Sequence, residues 1–131
     1  MAKFLLLKHY GLSPEGEPGH APIFGWTPEE IDAHMAYQRQ LIAELRESGE
    51  YVDVQALSND SVLVRTGGEG APPVVTDGPY AESKELVAGW YLIDVESKER
   101  AYEIAARVSA APGAGGKPGD ELLEVRPILS M

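Results

Sequence analysis

No cysteine occurs among the 131 residues. That absence excludes a disulfide framework, a thiolate metal site and a cysteine nucleophile together, and it suits a reducing compartment. Basic residues are scarce: 11 Lys and Arg stand against 21 Asp and Glu, a formal charge of −10. Such a surface repels phosphate backbones and anionic lipid. With no Lys/Arg cluster to build a local exception, neither nucleic acid nor a membrane is an expected partner. Long apolar runs are missing as well. The N-terminal stretch Phe4-Leu5-Leu6-Leu7 falls short of the roughly 7–15 apolar residues of a signal peptide and the about 20 of a membrane helix. The cytoplasm is the expected location. His9, His20 and His34 share no ligand spacing, Gly67-Gly68-Glu69-Gly70 precedes no helix, and no serine sits in a nucleophile elbow. Neither a metal nor a cofactor is therefore expected.

What is present describes an ordinary folded chain. Apolar residues make up 44 % and charged residues 24 %, enough for a packed core and too apolar for disorder. The length fits one domain spanning residues 1–131.

Local signals place the elements. Residues 3–9 read as a short buried strand, followed by a Gly- and Pro-rich loop from Tyr10 to Trp26. Thr27 then offers an N-cap, Pro28 a first helical residue and Glu30 the third position of a capping box. Apolar residues recur at Ile31, Met35, Leu41, Ile42 and Leu45 until Gly49, a suitable left-handed cap. The pattern predicts a helix over about 28–48. Residues 51–58 and 61–66 read as two strands around the turn Ser58-Asn59-Asp60, with Val52, Val54 and Ala56 alternating against Tyr51, Asp53 and Gln55. Val87 to Val95 reads as the strongest strand. Tyr91 and Ile93 lie on one face and Trp90 and Leu92 on the other, so both faces call for cover. Ser97 can cap a second helix to about Ala111, and Glu121 to Ile128 closes the chain.

The order is β-α-β-β-β-α-β: an α+β, ferredoxin-like plan with an inserted strand segment, an antiparallel sheet and two helices on one face. The apolar second face of the 87–95 strand predicts a homodimer with sheets face to face, burying Trp90 or Leu92.

The run Asp77-Gly78-Pro79-Tyr80-Ala81-Glu82-Ser83-Lys84-Glu85, followed by Gly89-Trp90-Tyr91-Leu92-Ile93-Asp94-Val95, resembles the signature of the DGPF branch of the YCII-related proteins. Tyr80 replaces the usual Phe, and Val87-Ala88 precede Gly89. His34-Met35-Ala36-Tyr37 and Glu124-Val125-Arg126-Pro127 also fit, whereas the loop from Tyr10 to Trp26 is poorly covered. The resemblance implies ferredoxin-like subunits paired into a dimeric α/β barrel. It implies little about activity beyond a proposed histidine–aspartate pair in the wider family, with His34 at the histidine position.

Two residues are candidate catalytic groups. His34 falls near the apolar stripe of the first helix, with Gln38 one turn on. Two polar groups facing a core must find partners or line a cavity. Histidine suits a general acid or base; a buried, hydrogen-bonded pair is the other reading. Asp77 is the second. A turn aspartate normally accepts from the N–H two residues on, but that residue is Pro79, which has none. The carboxylate is free to orient His34 or to bond Tyr80 within the turn. Arg126 can hold a substrate carboxylate bidentately or pair with Glu82 or Asp94. Gln38, Tyr80 and Arg126 are thus the candidate substrate-binding residues. Two function classes follow: a cofactor-free enzyme of lyase or isomerase type on a small organic molecule, or a non-catalytic dimer binding a metabolite or regulatory partner.

Overall fold

The computed structural model describes residues 1–10, 26–58, 60–77 and 86–130. Most of the loop between Tyr10 and Trp26, the turn residue Asn59, and the 78–85 part of the signature with Tyr80 and Glu82 lie outside them. In chain order the elements are β1 (Ala2–Tyr10), α1 (Pro28–Ser48), β2 (Tyr51–Ala56), β3 (Val62–Arg65), β4 (Val74–Asp77), β5 (Leu86–Val95), α2 (Lys98–Ser109), a 3-10 turn (Ala114–Gly116) and β6 (Leu123–Pro127).

α1 begins and ends where its caps dictate. The Thr27 hydroxyl accepts from Glu30 N–H at 3.1 Å, and the Glu30 carboxylate accepts from Thr27 N–H at 2.8 Å. Gly49 adopts φ 81°, and its N–H closes on the carbonyls of Leu45 and Arg46. Loss of the Thr27 cap alone would cost about 0.5–2 kcal/mol. In α2 the Ser97 hydroxyl accepts from Arg100 N–H.

The main sheet is antiparallel in the order β2-β5-β1-β6. With β3 and β4 set aside, the chain runs β-α-β-β-α-β, and this strand order is the ferredoxin-like one. Phe4, Leu6, Tyr91, Ile93 and Val95 point to the helices, meeting Leu41 and Leu45 of α1 and Ala101, Ile104 and Val108 of α2. Truncating a buried leucine such as Leu45 to alanine would cost about 2–5 kcal/mol.

Three local expectations are corrected. The strands from 51 and 61 do not pair around their turn: β2 pairs with β5, and β3 pairs with β4 in a separate two-stranded sheet. The simple alternation of Val52, Val54 and Ala56 fails because the β2–β5 register shifts between Tyr51 and Asp53. Tyr51 and Val54 both pack on the core while Val52 is exposed, since an extra residue in a bulge reverses the faces beyond it. On α1 the buried stripe runs through His34, Leu41 and Leu45, and Met35 is exposed.

The opposite face of the sheet carries Leu5 and Leu7 from β1 and Trp90 and Leu92 from β5, paired Leu5 with Leu92 and Leu7 with Trp90. Arg126 stands opposite Leu5 and Glu124 opposite Leu7. On this face Leu7 is 9 % exposed, and Leu5, Trp90 and Leu92 are half-buried.

Candidate functional site

His34 lies in the second turn of α1, and the helical period that buries Leu41 and Leu45 also turns its imidazole inward. It is 4 % exposed. A polar ring in that position must be paired, and both nitrogens are. Nδ1 lies 2.9 Å from the Pro112 carbonyl oxygen. That oxygen can only accept, so Nδ1 carries the proton and Nε2 the lone pair. Nε2 lies 2.5 Å from the Gln38 carboxamide nitrogen, which donates to it. The Gln38 oxygen in turn accepts from the Tyr91 hydroxyl at 3.0 Å. The four groups form one directed chain, Tyr91 to Gln38 to His34 to Pro112, from the sheet through α1 to the loop after α2. Burial pushes the Tyr91 phenol up to about 12, with the nearby Glu121 acting in the same direction. The hydroxyl therefore stays a donor at neutral pH.

The outer end of this chain is walled by Trp26, whose ring meets that of His34 edge-on with centroids 5.2 Å apart. Trp26 also lies against Gly113, where a Cβ would stand 3.2 Å from Cζ2 of the indole. Glu30 accepts from Gly115 N–H as well as from Thr27. These two backbone donors hold its carboxyl below the usual carboxylate range. The first turns of α1 thus clamp the glycine-rich 112–119 loop with three side chains: Trp26, Glu30 and His34.

The other candidates lie elsewhere. Asp77 ends β4 on the two-stranded sheet, exposed and paired in register with Val62. Among the described residues no hydrogen bond or ion pair joins it to His34, whose Nδ1 donates to the Pro112 carbonyl instead. Gln38 is brought directly onto His34. Arg126 is exposed at the border of the sheet face away from the helices, two residues from Glu124, and among the described residues no ion pair joins it to Asp94. The sites proposed for His34, Asp77 and Arg126 are therefore three separate places within one chain.

A histidine–carboxylate pair does occur within hydrogen-bonding distance, but between residues that sequence reasoning passed over. His9 Nε2 lies 3.3 Å from Glu124 Oε1 on the sheet face away from the helices, and the buried His9 Nδ1 has no partner among the described residues. The alternation of Leu5, Leu7 and His9 places His9 on one strand face. Its partner depends on the β1–β6 register, which no local pattern encodes. Trp26 and Pro112 were equally illegible as neighbours of His34. Among the described residues, no group of three or more His, Asp or Glu side chains is arranged to hold a metal ion.

Comparison with known proteins places this arrangement in context. The family model of the YCII-related domain matches residues 26–116, a span that includes Trp26, Glu30, His34, Gln38, Asp77, Tyr91 and Pro112. The chain is also 32 % identical over 107 residues to the uncharacterized protein R00369 of Rhizobium meliloti (strain 1021), covering 79 % of this chain and 79 % of that protein.

Proposed function

The chain belongs to the YCII-related domain family, and on that premise we propose that it is a cofactor-free enzyme acting on a small organic molecule by proton transfer at His34, of lyase or isomerase type. The observation that supports this reading is the hydrogen bonding of the ring. Nδ1 donates to the Pro112 carbonyl oxygen at 2.9 Å, which leaves the lone pair of the neutral ring on Nε2, the form a general base requires. The group in front of that lone pair is the Gln38 carboxamide, which side-chain rotation can withdraw in favour of a substrate. The proton passes from a carbon acid to Nε2, the electron pair stays on the substrate as an enolate, and the proton returns to a second atom or to a leaving group. Orientation of the ring falls to the Pro112 carbonyl in this scheme, and Asp77 takes no part in it within one chain.

The non-catalytic reading, a dimer that binds a metabolite or a regulatory partner, has its own support. The relay from Tyr91 to Pro112 leaves neither ring nitrogen of His34 unpartnered, as a purely structural tie would. Deuterium exchange separates the two. A panel of enolisable ketones and lactones is incubated in D2O with the wild type and with His34→Gln, and exchange is followed by NMR. Catalysed exchange that vanishes in a folded His34→Gln protein is expected. Exchange that survives the substitution would remove His34 from the chemistry. Binding without exchange in either protein would favour the metabolite-binding alternative.

A further inference from the structure

We propose that Gln38 holds the carbonyl oxygen of the substrate and that Tyr91 positions it for that task, which restricts the site to uncharged carbonyl compounds. The proposal rests on the reading of His34 as a base and names what that base acts on.

A carboxamide has an accepting end and a donating end, and a half-turn of the group exchanges them. The end that faces Nε2 of His34 therefore has to be set from outside the group, and the Tyr91 hydroxyl sets it. Its bond to Gln38 Oε1 is the one hydrogen bond it makes among the described residues. Tyr91 is 1 % exposed, so its proton has no water to turn to. Burial, with Glu121 acting the same way, keeps that proton in place at neutral pH. The oxygen of Gln38 is thus committed to Tyr91, and the nitrogen faces His34.

That nitrogen carries two protons. One goes to His34 Nε2, and among the described residues the other has no acceptor. Gln38 is only half-buried, so a ligand can reach it. A donor without a protein partner, beside the lone pair of a base, fits a carbonyl oxygen. With Oε1 kept on Tyr91, the carboxamide pivots off Nε2 and still turns its N–H groups to the same place. The C–H bond of the substrate then breaks and its proton binds Nε2. The electron pair comes to rest on the carbonyl oxygen, where the Gln38 N–H meets it. Among the described residues no cation bonds to any side chain of the relay. Arg107, whose carbonyl holds Tyr37, gives its guanidinium to Glu44. A substrate carboxylate would find no counter-charge there, and the chain's charge of −10 opposes its approach.

Two measurements test this. The ring protons of His34 are titrated by NMR in the wild type and in Tyr91→Phe. The ring's own contacts, Trp26, Gln38 and Pro112, do not titrate. Beyond them stand Glu30 on α1, bonded to Gly115, and Tyr91 on β5 with Glu121 and Tyr37 about it. Tyr91 is neutral throughout the titration, so its replacement removes no charge. Freed of Tyr91, the carboxamide can turn its oxygen to a protonated Nε2, and the His34 midpoint is expected at higher pH in the variant. In parallel, deuterium exchange is followed for pyruvate and methyl pyruvate, each rate divided by that in buffer. The ester is expected to be accelerated roughly tenfold or more over the acid, and Tyr91→Phe to lower kcat by a similar factor with KM held. An unmoved midpoint, or acceleration of the acid equal to that of the ester, would overturn the proposal while leaving His34 a base. A wild type that exchanges neither compound, nor any ketone or lactone of the panel, sinks the catalytic reading and the substrate class together. If Tyr91→Phe does not fold, Gln38→Glu decides. Its carboxylate cannot donate, and exchange as fast as in the wild type would overturn the proposal.

Discussion

The side-chain nitrogen of Gln38 stands 2.5 Å from Nε2 of His34, one helical turn away on the same face of α1. The contact makes Gln38 the hinge of the relay, because its oxygen also takes the Tyr91 hydroxyl. Gln38→Leu keeps the volume and removes both bonds. It strands two groups, and we expect a loss of about 1–3 kcal/mol in a denaturant titration, the usual cost of an unsatisfied buried polar atom. Adding Tyr91→Phe should recover part of that loss, since the phenol no longer lacks an acceptor. A double variant no more stable than Gln38→Leu would show that the chain is not coupled as its geometry implies.

A second prediction concerns acid. Arg100 donates to both oxygens of Glu50, from Nε at 2.8 Å and from Nη2 at 2.9 Å, joining the end of α1 to α2. These bonds hold the Glu50 carboxyl below its ordinary range despite the opposing effect of burial, with Ser48 adding a further bond. A depressed carboxylate contributes stability that is complete above its unfolded value, about 4.3, and is lost as pH falls through the lower folded value. The wild type should therefore lose more stability than Glu50→Gln on acidification below about pH 4.3. At neutral pH the substitution should cost about 1–2 kcal/mol; Arg100 is 30 % exposed and recovers water when its partner is neutralised. Thermal melts of both proteins from neutral to acid pH test this, and parallel curves would remove the ion pair as the cause.

The third prediction falls on the signature itself. Gly89 faces Ala56 in the β2–β5 pairing, and a Cβ added there would run into the Gln55 carbonyl oxygen. Backbone cannot swing aside as a side chain can. Gly89→Ala should push β2 off β5 and cost about 1–3 kcal/mol, as overpacking does. Amide exchange should rise at Leu57, whose N–H bonds the Ala88 carbonyl. Unchanged protection at Leu57 would show that the strand pair absorbs the methyl group without separating.

Much of the fold was legible because its signals are local. Thr27, Pro28, Glu30 and Gly49 state the limits of α1 within the chain that forms it, and β5 declares two apolar faces by alternation alone. The signature from Asp77 to Val95 carried the family. Tertiary structure decided the rest. Whether His34 meets Asp77 or Pro112 depends on how a loop 78 residues further on settles against α1. Whether His9 finds Glu124, 115 residues away, depends on the register between β1 and β6. β3 left β2 for β4, and the bulge after Tyr51 put Val52 and Val54 on opposite faces. Caps and periodicities act over one turn or one pleat, so the residues in each short segment contain them. A partner across a sheet or a loop is chosen by register and packing summed over the whole chain, and no short segment holds that information.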